Sequence, residues 1–179
     1  MDASSQFKDS LPTTPDTLLA TLSSLNIRFT THTHPPLGTV EDSKAFRGDL
    51  QGSHIKNLYL RDRKTRNFLL VTEENKAIDL KALPNRIGSD RLSFGSADRL
   101  FEMLGVRPGA VSPFTLINDP DHKVQLILDA DLADHACVFA HPLVNDMTLG
   151  ICGSDLFRFF SYTGHDPQIL LFLQDKQKN

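Results

Sequence analysis

Five segments of the chain combine apolar residues at helical spacing with the signals that begin and end helices. The clearest begins after Ser96, repeats apolar residues every three or four positions up to Leu104, and has Gly105 just past its end. Another follows Thr14 and Pro15, a capping residue and the imino acid favoured at the first helical position. The pattern predicts helices over residues 14–26, 39–46, 79–87, 96–104 and 154–164.

Short runs rich in β-branched and apolar residues lie between these helices. They predict strands over residues 27–33, 54–62, 68–72, 91–94, 114–117, 124–128, 136–140, 147–151 and 168–173. Most of these strands follow one another in hairpin-like succession, with helices inserted between groups. We therefore predict an α+β fold: a single compact domain with a mixed, largely antiparallel sheet flanked by helices. Residues 1–13 are expected to form a flexible N-terminal arm, and residues 14–179 the domain.

The stretch 105–118 connects a predicted helix to an apolar run and contains two glycines and two prolines. Proline fixes φ and glycine opens positive φ, so this connection has a defined backbone path. Gly109 also leaves backbone N–H groups uncovered, which suits close approach of a small polar ligand. By itself the stretch is compatible with a tight turn or with a binding loop.

Composition narrows the function classes. The chain has 179 residues, 40% of them hydrophobic, which predicts one domain with a sizeable core. Its net charge of −3 excludes a global basic field, so any contact with nucleic acid needs a local patch. Cys137 and Cys152 form no CxxC, which predicts a reduced, cytoplasmic protein with both as small core residues. No apolar run reaches membrane-spanning length, and no membrane contact is expected.

Two residues could carry chemistry. Lys56 lies within an apolar strand, as either a solvated side chain or a fixed positive charge at a cleft. Asn57 beside it faces the other way and could hold a loop backbone. His141 precedes a proline, so its backbone is extended, and it lies between two strands. It is either a surface histidine or a group that transfers protons or orients substrate.

Several other chemistries lack their signatures. His32 and His34 would share one face of a strand, but no third metal ligand stands at diagnostic spacing. Ser112 is in no G-x-S-x-G elbow, and the chain has no Walker loop or dinucleotide fingerprint. We expect no metal and no other cofactor. A basic run at a hairpin, which is either a solvated tip or a contact for an RNA backbone, consists of Arg61, Arg63, Lys64 and Arg66.

Eight short motifs in order resemble the prolyl-tRNA editing proteins. They are HPPLGTVED at 34–42, GDLQG at 48–52, KNLYLRD at 56–62, IDLKAL at 78–83, RLSFGS at 91–96, LGVRPGAVSPF at 104–114, LIND at 116–119 and HPLVN at 141–145. These proteins are free-standing relatives of the editing domain inserted in bacterial prolyl-tRNA synthetase, within the YbaK-like deacylase superfamily. The resemblance covers residues 14–173.

The resemblance implies an aminoacyl-tRNA deacylase that hydrolyses mischarged alanyl-tRNA(Pro) in trans. By carry-over of the motifs, the catalytic residues are Lys56, Gly109 and His141. The substrate-binding residues are Asn57, Ala110, Val111, Ser112, Pro113 and Asn118. Contacts to tRNA fall on the basic run. The implied partners are the tRNA acceptor end and, transiently, prolyl-tRNA synthetase, but not DNA. The alternatives are deacylation of cysteinyl- or seryl-tRNA, and non-catalytic binding of acceptor ends.

Overall fold

The computed structural model of the protein describes residues 8–36 and 50–173. Its α-helices are α1 Pro15–Ser24, α2 Leu83–Ile87, α3 Ala97–Leu104 and α4 Gly153–Thr163. Its strands are β1 Phe29–Thr33, β2 Ser53–Asp62, β3 Asn67–Glu73, β4 Leu92–Phe94, β5 Val124–Asp129, β6 Val138–Ala140, β7 Met147–Ile151 and β8 Gln168–Leu170. The helix predicted over 39–46 lies outside the described residues. None of the described helices has the length and apolar character needed to cross a membrane.

The predicted capping residues act as caps. The Thr14 hydroxyl accepts a hydrogen bond from the amide of Thr17, and the Ser96 hydroxyl accepts one from the amide of Arg99. Gly105 ends α3 in the left-handed conformation at a φ of 65°. These residues therefore position α1 and α3 as their sequences predicted.

Helix α4 starts one residue earlier than the sequence predicts. The sequence predicts a helix that begins at Ser154. In the structure the N-cap is Cys152 and the helix begins at Gly153. A Cβ at Gly153 would lie 2.0 Å from the Leu132 carbonyl oxygen, so the helix starts at a point of close backbone approach. Only glycine fits at this first position of the helix.

The described strands form one mixed sheet in the order β1-β7-β6-β2-β3-β5-β8, with β4 paired to β2. Four pairings are antiparallel, namely β1–β7, β2–β3, β2–β4 and β6–β7. Three are parallel, namely β2–β6, β3–β5 and β5–β8. The predicted α+β class with a mixed, largely antiparallel sheet is confirmed.

Both faces of this sheet are buried at its centre. In β3, Leu69 and Val71 belong to a main core that also contains side chains of α1, α3 and α4. Phe68 and Leu70, pointing the other way, belong to a second core with α2 and Phe172. Burial on both faces explains why the β3 sequence is continuously apolar instead of alternating.

The strand predicted over 114–117 is wrong. This segment is a 3-10 helix, Pro113–Asn118, with Ser112 as its N-cap. The Ser112 hydroxyl accepts a hydrogen bond from the Phe114 amide at 3.2 Å, and its carbonyl accepts one from the Thr115 hydroxyl at 2.6 Å. The run is apolar because it packs into the main core, and its proline and local caps favour a helical turn over a strand.

Part of the segment predicted to be an N-terminal arm packs against the domain. Leu11 is buried in the main core. The Thr13 hydroxyl donates a hydrogen bond to Asn118 Oδ1 at 2.7 Å. Contacts with the domain therefore reach into residues 11–13, and the boundary at residue 14 stays a prediction.

Candidate active site

β2 carries two of the predicted site residues on opposite faces of the sheet. Tyr59 of β2 belongs to the main core, and Leu60 belongs to the second core. Because side chains alternate along a strand, Asn57 leaves the sheet on the main-core face and Lys56 on the second-core face. Lys56 stands opposite Thr72 of β3.

One edge of β2 is open around these two residues. β6 pairs with β2 at Ser53 and His54, and β4 pairs with it from Leu60 onward. Between them, residues 55–59 have no partner strand on this edge within the described part of the chain. Here the Tyr59 carbonyl accepts a hydrogen bond from the Gly95 amide at 3.0 Å. We call residues 55–59 the open edge, because no described strand pairs with them on this side.

His141 lies where the open edge begins. The parallel pairing aligns Ser53 with Val138 and His54 with Phe139. Carried two residues further, the same offset aligns Lys56 with His141, just past the end of β6. Side chains aligned in this way on neighbouring strands share one face. Extended past its last pair, His54 and Phe139, this register would put Lys56 and His141 on the same face of the sheet.

The Lys56 side chain is half-buried and anchored at its end. Its ammonium donates a hydrogen bond to the main-chain carbonyl of Lys76. Lys76 is itself buried, and its ammonium forms ion pairs with Asp129 and Asp131. The Lys56 charge is thus held beside a rigid, buried ion-pair cluster.

The hydrogen bonds of two histidines fix their tautomers. His141 Nδ1 lies 2.8 Å from the Met147 carbonyl and donates a hydrogen bond to it, so in the neutral form of the ring Nε2 is the acceptor nitrogen. His34 Nδ1 likewise donates to the Pro35 carbonyl at 2.9 Å, and its Nε2 accepts from the Thr148 hydroxyl at 2.9 Å. The two imidazole rings meet edge to face, with centroids 5.9 Å apart. Neutral His141 can accept a proton at Nε2.

A band of rings on this face was not predicted. The His54 ring stacks on Phe139 at 4.8 Å, and His32 meets the same phenyl ring edge-on at 5.8 Å. His34 and His141 continue the band. The sequence places His32 and His34 on one side of a strand, but the contact with His54 depends on strand pairing that no local pattern specifies.

Asn57 presents an unsatisfied acceptor. Its Oδ1 is shielded from solvent and has no hydrogen-bond partner among the residues the structure describes. A buried acceptor left without a donor is costly, so such atoms often mark places where a ligand or water binds. Because its backbone also faces the open edge, Asn57 is the best-supported substrate contact of the predicted set.

The predicted binding loop packs on the main-core face, the face of Asn57. Ala110 is buried in the main core and Val111 packs against it. Gly109 is exposed, with a φ of 92° that only glycine adopts readily. The Ala110 amide donates to the Arg107 carbonyl at 3.1 Å, which closes a turn and occupies this predicted donor. Lys56 and the loop therefore lie on opposite faces of β2.

Two predicted substrate-binding side chains have structural partners. Ser112 is fully buried and caps the 3-10 helix, together with buried Pro113. Asn118 donates from Nδ2 to the Leu104 carbonyl at 2.9 Å and accepts from Thr13. Asn118 thereby ties the two ends of the stretch 105–118 together. The roles predicted for these residues in substrate binding stay predictions.

A pocket of 590 Å³ adjoins the Lys56 end of the site. It is lined by residues 51–54, 73–75 and 135–137. Glu73 and His135, both on its lining, are in hydrogen-bond contact through Oε1 and Nε2. Since His54 is two residues before Lys56 and Glu73 follows Thr72, the pocket lies directly beside the lysine's strand position.

The basic hairpin is only partly available for RNA. Arg66 Nε donates to Asp62 Oδ2 at 2.8 Å, and its guanidinium also donates to the Gly88 carbonyl at 3.1 Å. Burial would raise the pKa of Asp62, but the hydrogen bonds from Arg66 lower it below its usual value. Arg66 is therefore a structural residue of the turn. Arg61, Arg63 and Lys64 are exposed, and their contact with tRNA stays a prediction.

The described residues hold no metal cluster. Within 8–36 and 50–173, no three side chains of His, Cys, Asp or Glu are arranged to hold a metal ion. The groups that the predicted site offers are an ammonium, an imidazole, an amide and strand backbone. These groups can orient an ester, stabilise developing charge and accept a proton.

The chain matches a known family of domains. The sequence profile described as the aminoacyl-tRNA editing domain matches residues 34–159. The chain therefore belongs to the aminoacyl-tRNA editing domain family, which confirms the resemblance seen in the motifs.

Within this family, the chain is similar to proteins associated with prolyl-tRNA editing. The chain is 37% identical over 149 residues to the prolyl-tRNA editing protein ProX of Acetoanaerobium sticklandii, covering 83% of this chain and 91% of that protein. It is also 37% identical over 153 residues to prolyl-tRNA synthetase associated domain-containing protein 1 of Danio rerio, covering 84% of this chain and 83% of the relative.

A solved structure shares the fold. It is described provisionally as a trans-editing enzyme for prolyl tRNA synthetase, and it superposes with a TM-score of 0.66 at 17% identity. The match covers 90% of this chain and 97% of that one. Likeness at this identity supports the architecture alone.

Proposed function

We propose that the protein hydrolyses the ester of mischarged alanyl-tRNA(Pro) in trans, releasing alanine and free tRNA. One observation supports the proposal most: the backbone of β2 around Lys56 and Asn57 lies between the β6 and β4 pairings, with the buried Asn57 Oδ1 unpaired among the described residues. Membership of the editing family and the names of the relatives support an aminoacyl-tRNA substrate and tRNA(Pro) in particular. Transient contact with prolyl-tRNA synthetase belongs to the same proposal.

In the proposed mechanism the acceptor end lies along the open edge. The Lys56 ammonium positions the terminal adenosine phosphate or polarises the ester carbonyl. Asn57 Oδ1 accepts a hydrogen bond from the ammonium of the aminoacyl group, which satisfies its orphaned acceptor. Both roles use groups whose positions the strand fixes, so little ordering is needed when the substrate binds.

Bond breaking in this proposal needs no protein nucleophile. Water attacks the ester carbonyl, assisted by the adenosine 2′-hydroxyl, and His141 Nε2 accepts a proton. The carbon–oxygen ester bond breaks, giving alanine and the 3′-hydroxyl of the tRNA. Predicted donors to the developing oxyanion are the loop amides between Gly109 and Ser112, apart from the occupied amide of Ala110. Because these amides lie on the Asn57 face, the bound ester has to span the edge of β2 to reach Lys56 on the other face.

The need for such an enzyme follows from size discrimination. Alanine is smaller than proline, so a synthetase pocket shaped for proline cannot exclude it sterically. A missing methylene is worth only about 1–3 kcal/mol of discrimination, so a second site has to repeat the selection. That second site needs only to be too small for proline, and the rigid turn at Gly109–Pro113 is the proposed wall.

Deacylation of charged tRNA(Pro) by the purified protein tests the proposal. We expect alanyl-tRNA(Pro) to be hydrolysed faster than cysteinyl-, seryl- or prolyl-charged tRNA(Pro). Lys56→Ala should lower the rate about 100-fold, the usual cost of losing one preorganised charge contact. Lys81→Ala, which removes an exposed lysine away from the open edge, is the matched control and should keep the wild-type rate.

The alternatives give distinct results. A faster rate on the cysteinyl or seryl ester would redirect the proposal to another misacylated tRNA. Saturable binding of alanyl-tRNA without release of alanine would identify a non-catalytic binder of acceptor ends. Unchanged hydrolysis by Lys56→Ala would refute the role of the lysine.

A further inference from the structure

The chain's two cysteines face each other across two strands. β6 and β7 are antiparallel, with Val138 opposite Ile151, so one residue further Cys137 lies opposite Cys152 on the same face. The Cys137 carbonyl accepts from the Ser53 amide at 2.9 Å, so its backbone polar groups point away from β7. Such non-hydrogen-bonded pairs have Cα atoms about 4.5 Å apart. A disulfide spans Cα separations of about 4.4–6.8 Å.

Gly150 leaves room beside the Cys137 thiol. Cys137 Sγ lies 3.1 Å from the position that a Cβ would take at Gly150, the residue two before Cys152. Because Gly150 has no side chain, the Cys137 sulfur has room against β7, the strand that leads to Cys152. Both cysteines are half-buried, and Cys137 lines the pocket of 590 Å³, which gives small solutes a path to the pair.

Cys152 has the environment of a reactive thiol. It is the N-cap of α4, an 11-residue helix, and its Sγ lies 3.2 Å from the Ser154 hydroxyl. The Ser154 hydroxyl, and after it the nearby amides of Ser154 and Asp155, lower the pKa of Cys152 below the usual thiol value. The start of α4 and the Ser154 hydroxyl favour the thiolate, which is the nucleophilic form, against burial and the Asp155 charge. The Cys152 sulfur makes no cap hydrogen bond to the α4 amides and lies 3.9 Å from the His135 carbonyl.

Cys137 has the opposite character. Burial, and in second place the charge of Cys152, raise the pKa of Cys137 above the usual thiol value. It therefore stays a protonated thiol under conditions in which Cys152 ionises. A low-pKa thiol beside a protonated partner is the arrangement of an attacking and a resolving cysteine.

We propose that Cys137 and Cys152 form a peroxide-sensitive dithiol, independent of the editing reaction. The Cys152 thiolate attacks hydrogen peroxide, the O–O bond breaks, and Cys152 sulfenic acid and hydroxide form. The Cys137 sulfur then attacks the Cys152 sulfur and loses its proton, and water leaves. The product is a cross-strand disulfide; two sulfurs are oxidised and one peroxide is reduced. A dithiol reductant reverses the reaction.

Peroxide treatment of the full-length protein, followed by intact-mass and peptide-mass analysis, tests this chemistry. Wild-type protein should lose two hydrogen atoms in mass and give one peptide pair linked through Cys137 and Cys152. Cys137→Ser should accumulate sulfenic acid on Cys152, trapped by dimedone. Cys152→Ser should give neither product. The sites of dimedone labelling in wild-type protein, quenched early, provide a check that needs no variant.

A matched pair of serine variants tests the role of the helix start. Ser154→Ala removes the hydroxyl that contacts Cys152 and should slow peroxide oxidation several-fold. Ser161→Ala removes another exposed hydroxyl on α4, one that donates to the Phe157 carbonyl, and should oxidise at the wild-type rate. The proposal is overturned if oxidation gives only disulfides between molecules, if both thiols over-oxidise without linking, or if Cys137 is labelled first.

Discussion

At the residue scale, Lys76 is a charge held inside the protein. Its side chain is 2% exposed, and its ammonium lies 3.5 Å from Asp129, 2.9 Å from the Phe172 carbonyl and in contact with Asp131. Asp129 also accepts a hydrogen bond from the Thr72 hydroxyl at 2.8 Å. Burial alone would lower the pKa of Lys76, but the hydrogen bond with Asp131 and the charges of both aspartates raise it.

Removing Asp129 should strongly destabilise the fold. Asp129→Ala leaves a buried ammonium without its buried partner, which costs about 3–5 kcal/mol of unfolding free energy. A raised lysine pKa contributes stability that is full below the ordinary pKa of 10.5 and is lost as pH rises through the raised pKa. Urea denaturation should therefore show the loss at neutral pH and a smaller gap between variant and wild type in strong alkali.

Asp131→Ala is the control for this prediction. The Asp131 side chain is 49% exposed, so water can replace much of what its carboxylate contributes. Its removal should therefore cost less than removal of Asp129, whose carboxylate is fully buried and also accepts from the Thr72 hydroxyl. Equal losses for the two aspartate variants would contradict the assignment of Asp129 as the essential partner.

At the scale of the element, the open edge of β2 should be visible in amide hydrogen exchange. The Lys56 and Leu58 amides point toward β3, which pairs with β2 along its length. The Asn57 amide points the other way, to the open edge between β6 and β4. Residue-resolved exchange by NMR should show the Asn57 amide exchanging much faster than its two neighbours, because an amide outside a ladder lacks protection.

Substrate binding supplies the second half of this test. An acceptor-end analogue lying along the open edge should slow exchange at Asn57 and leave Lys56 and Leu58 unchanged. Protection of Asn57 before any ligand is added would show that this edge is closed in solution.

Most elements followed from the sequence because their signals are local. Thr14 and Ser96 cap helices, and the apolar run of β3 matches a strand buried on both faces. The 114–117 segment failed because an apolar run alone does not separate a strand from a buried turn. There Pro113 and the Ser112 cap outweighed strand propensity.

The candidate site was predictable only in part. The motifs single out Lys56, Asn57 and His141 as residues. Their alignment depends on a two-residue parallel pairing between β2 and β6, strands that are far apart in sequence. The open edge and the ring band around Phe139 depend on the same register, which local patterns do not encode.

At the scale of the whole molecule, the net charge of −3 means that tRNA has to be attracted locally. Arg61 lies five residues from Lys56 along β2, about 17 Å at strand rise. If the exposed hairpin contacts the tRNA backbone, Arg61→Ala and Arg63→Ala should each lower the slope of log affinity against log salt by about 0.9. Binding titrations with uncharged tRNA(Pro) over a salt series measure this slope.

Two further variants serve as controls for the salt-dependence measurement. Arg28→Ala removes an exposed charge ahead of β1 and should leave the slope unchanged. Arg66→Ala should instead lower thermal stability, because Arg66 holds Asp62 and the Gly88 carbonyl. Slopes unaffected by Arg61→Ala and Arg63→Ala would move the tRNA footprint to another surface.

The pairing of β1 with β7 also bears on how the chain folds as it is synthesised. Among the described strands, β1 has β7 as its partner, and the bonded residues His34 and Thr148 are 114 residues apart. Closing so long a loop costs chain entropy before any contact is gained, and such topologies fold slowly. During translation, therefore, β1 cannot pair until β7 has been synthesised. The ring band, which includes the histidines of β1, is then among the last features to form.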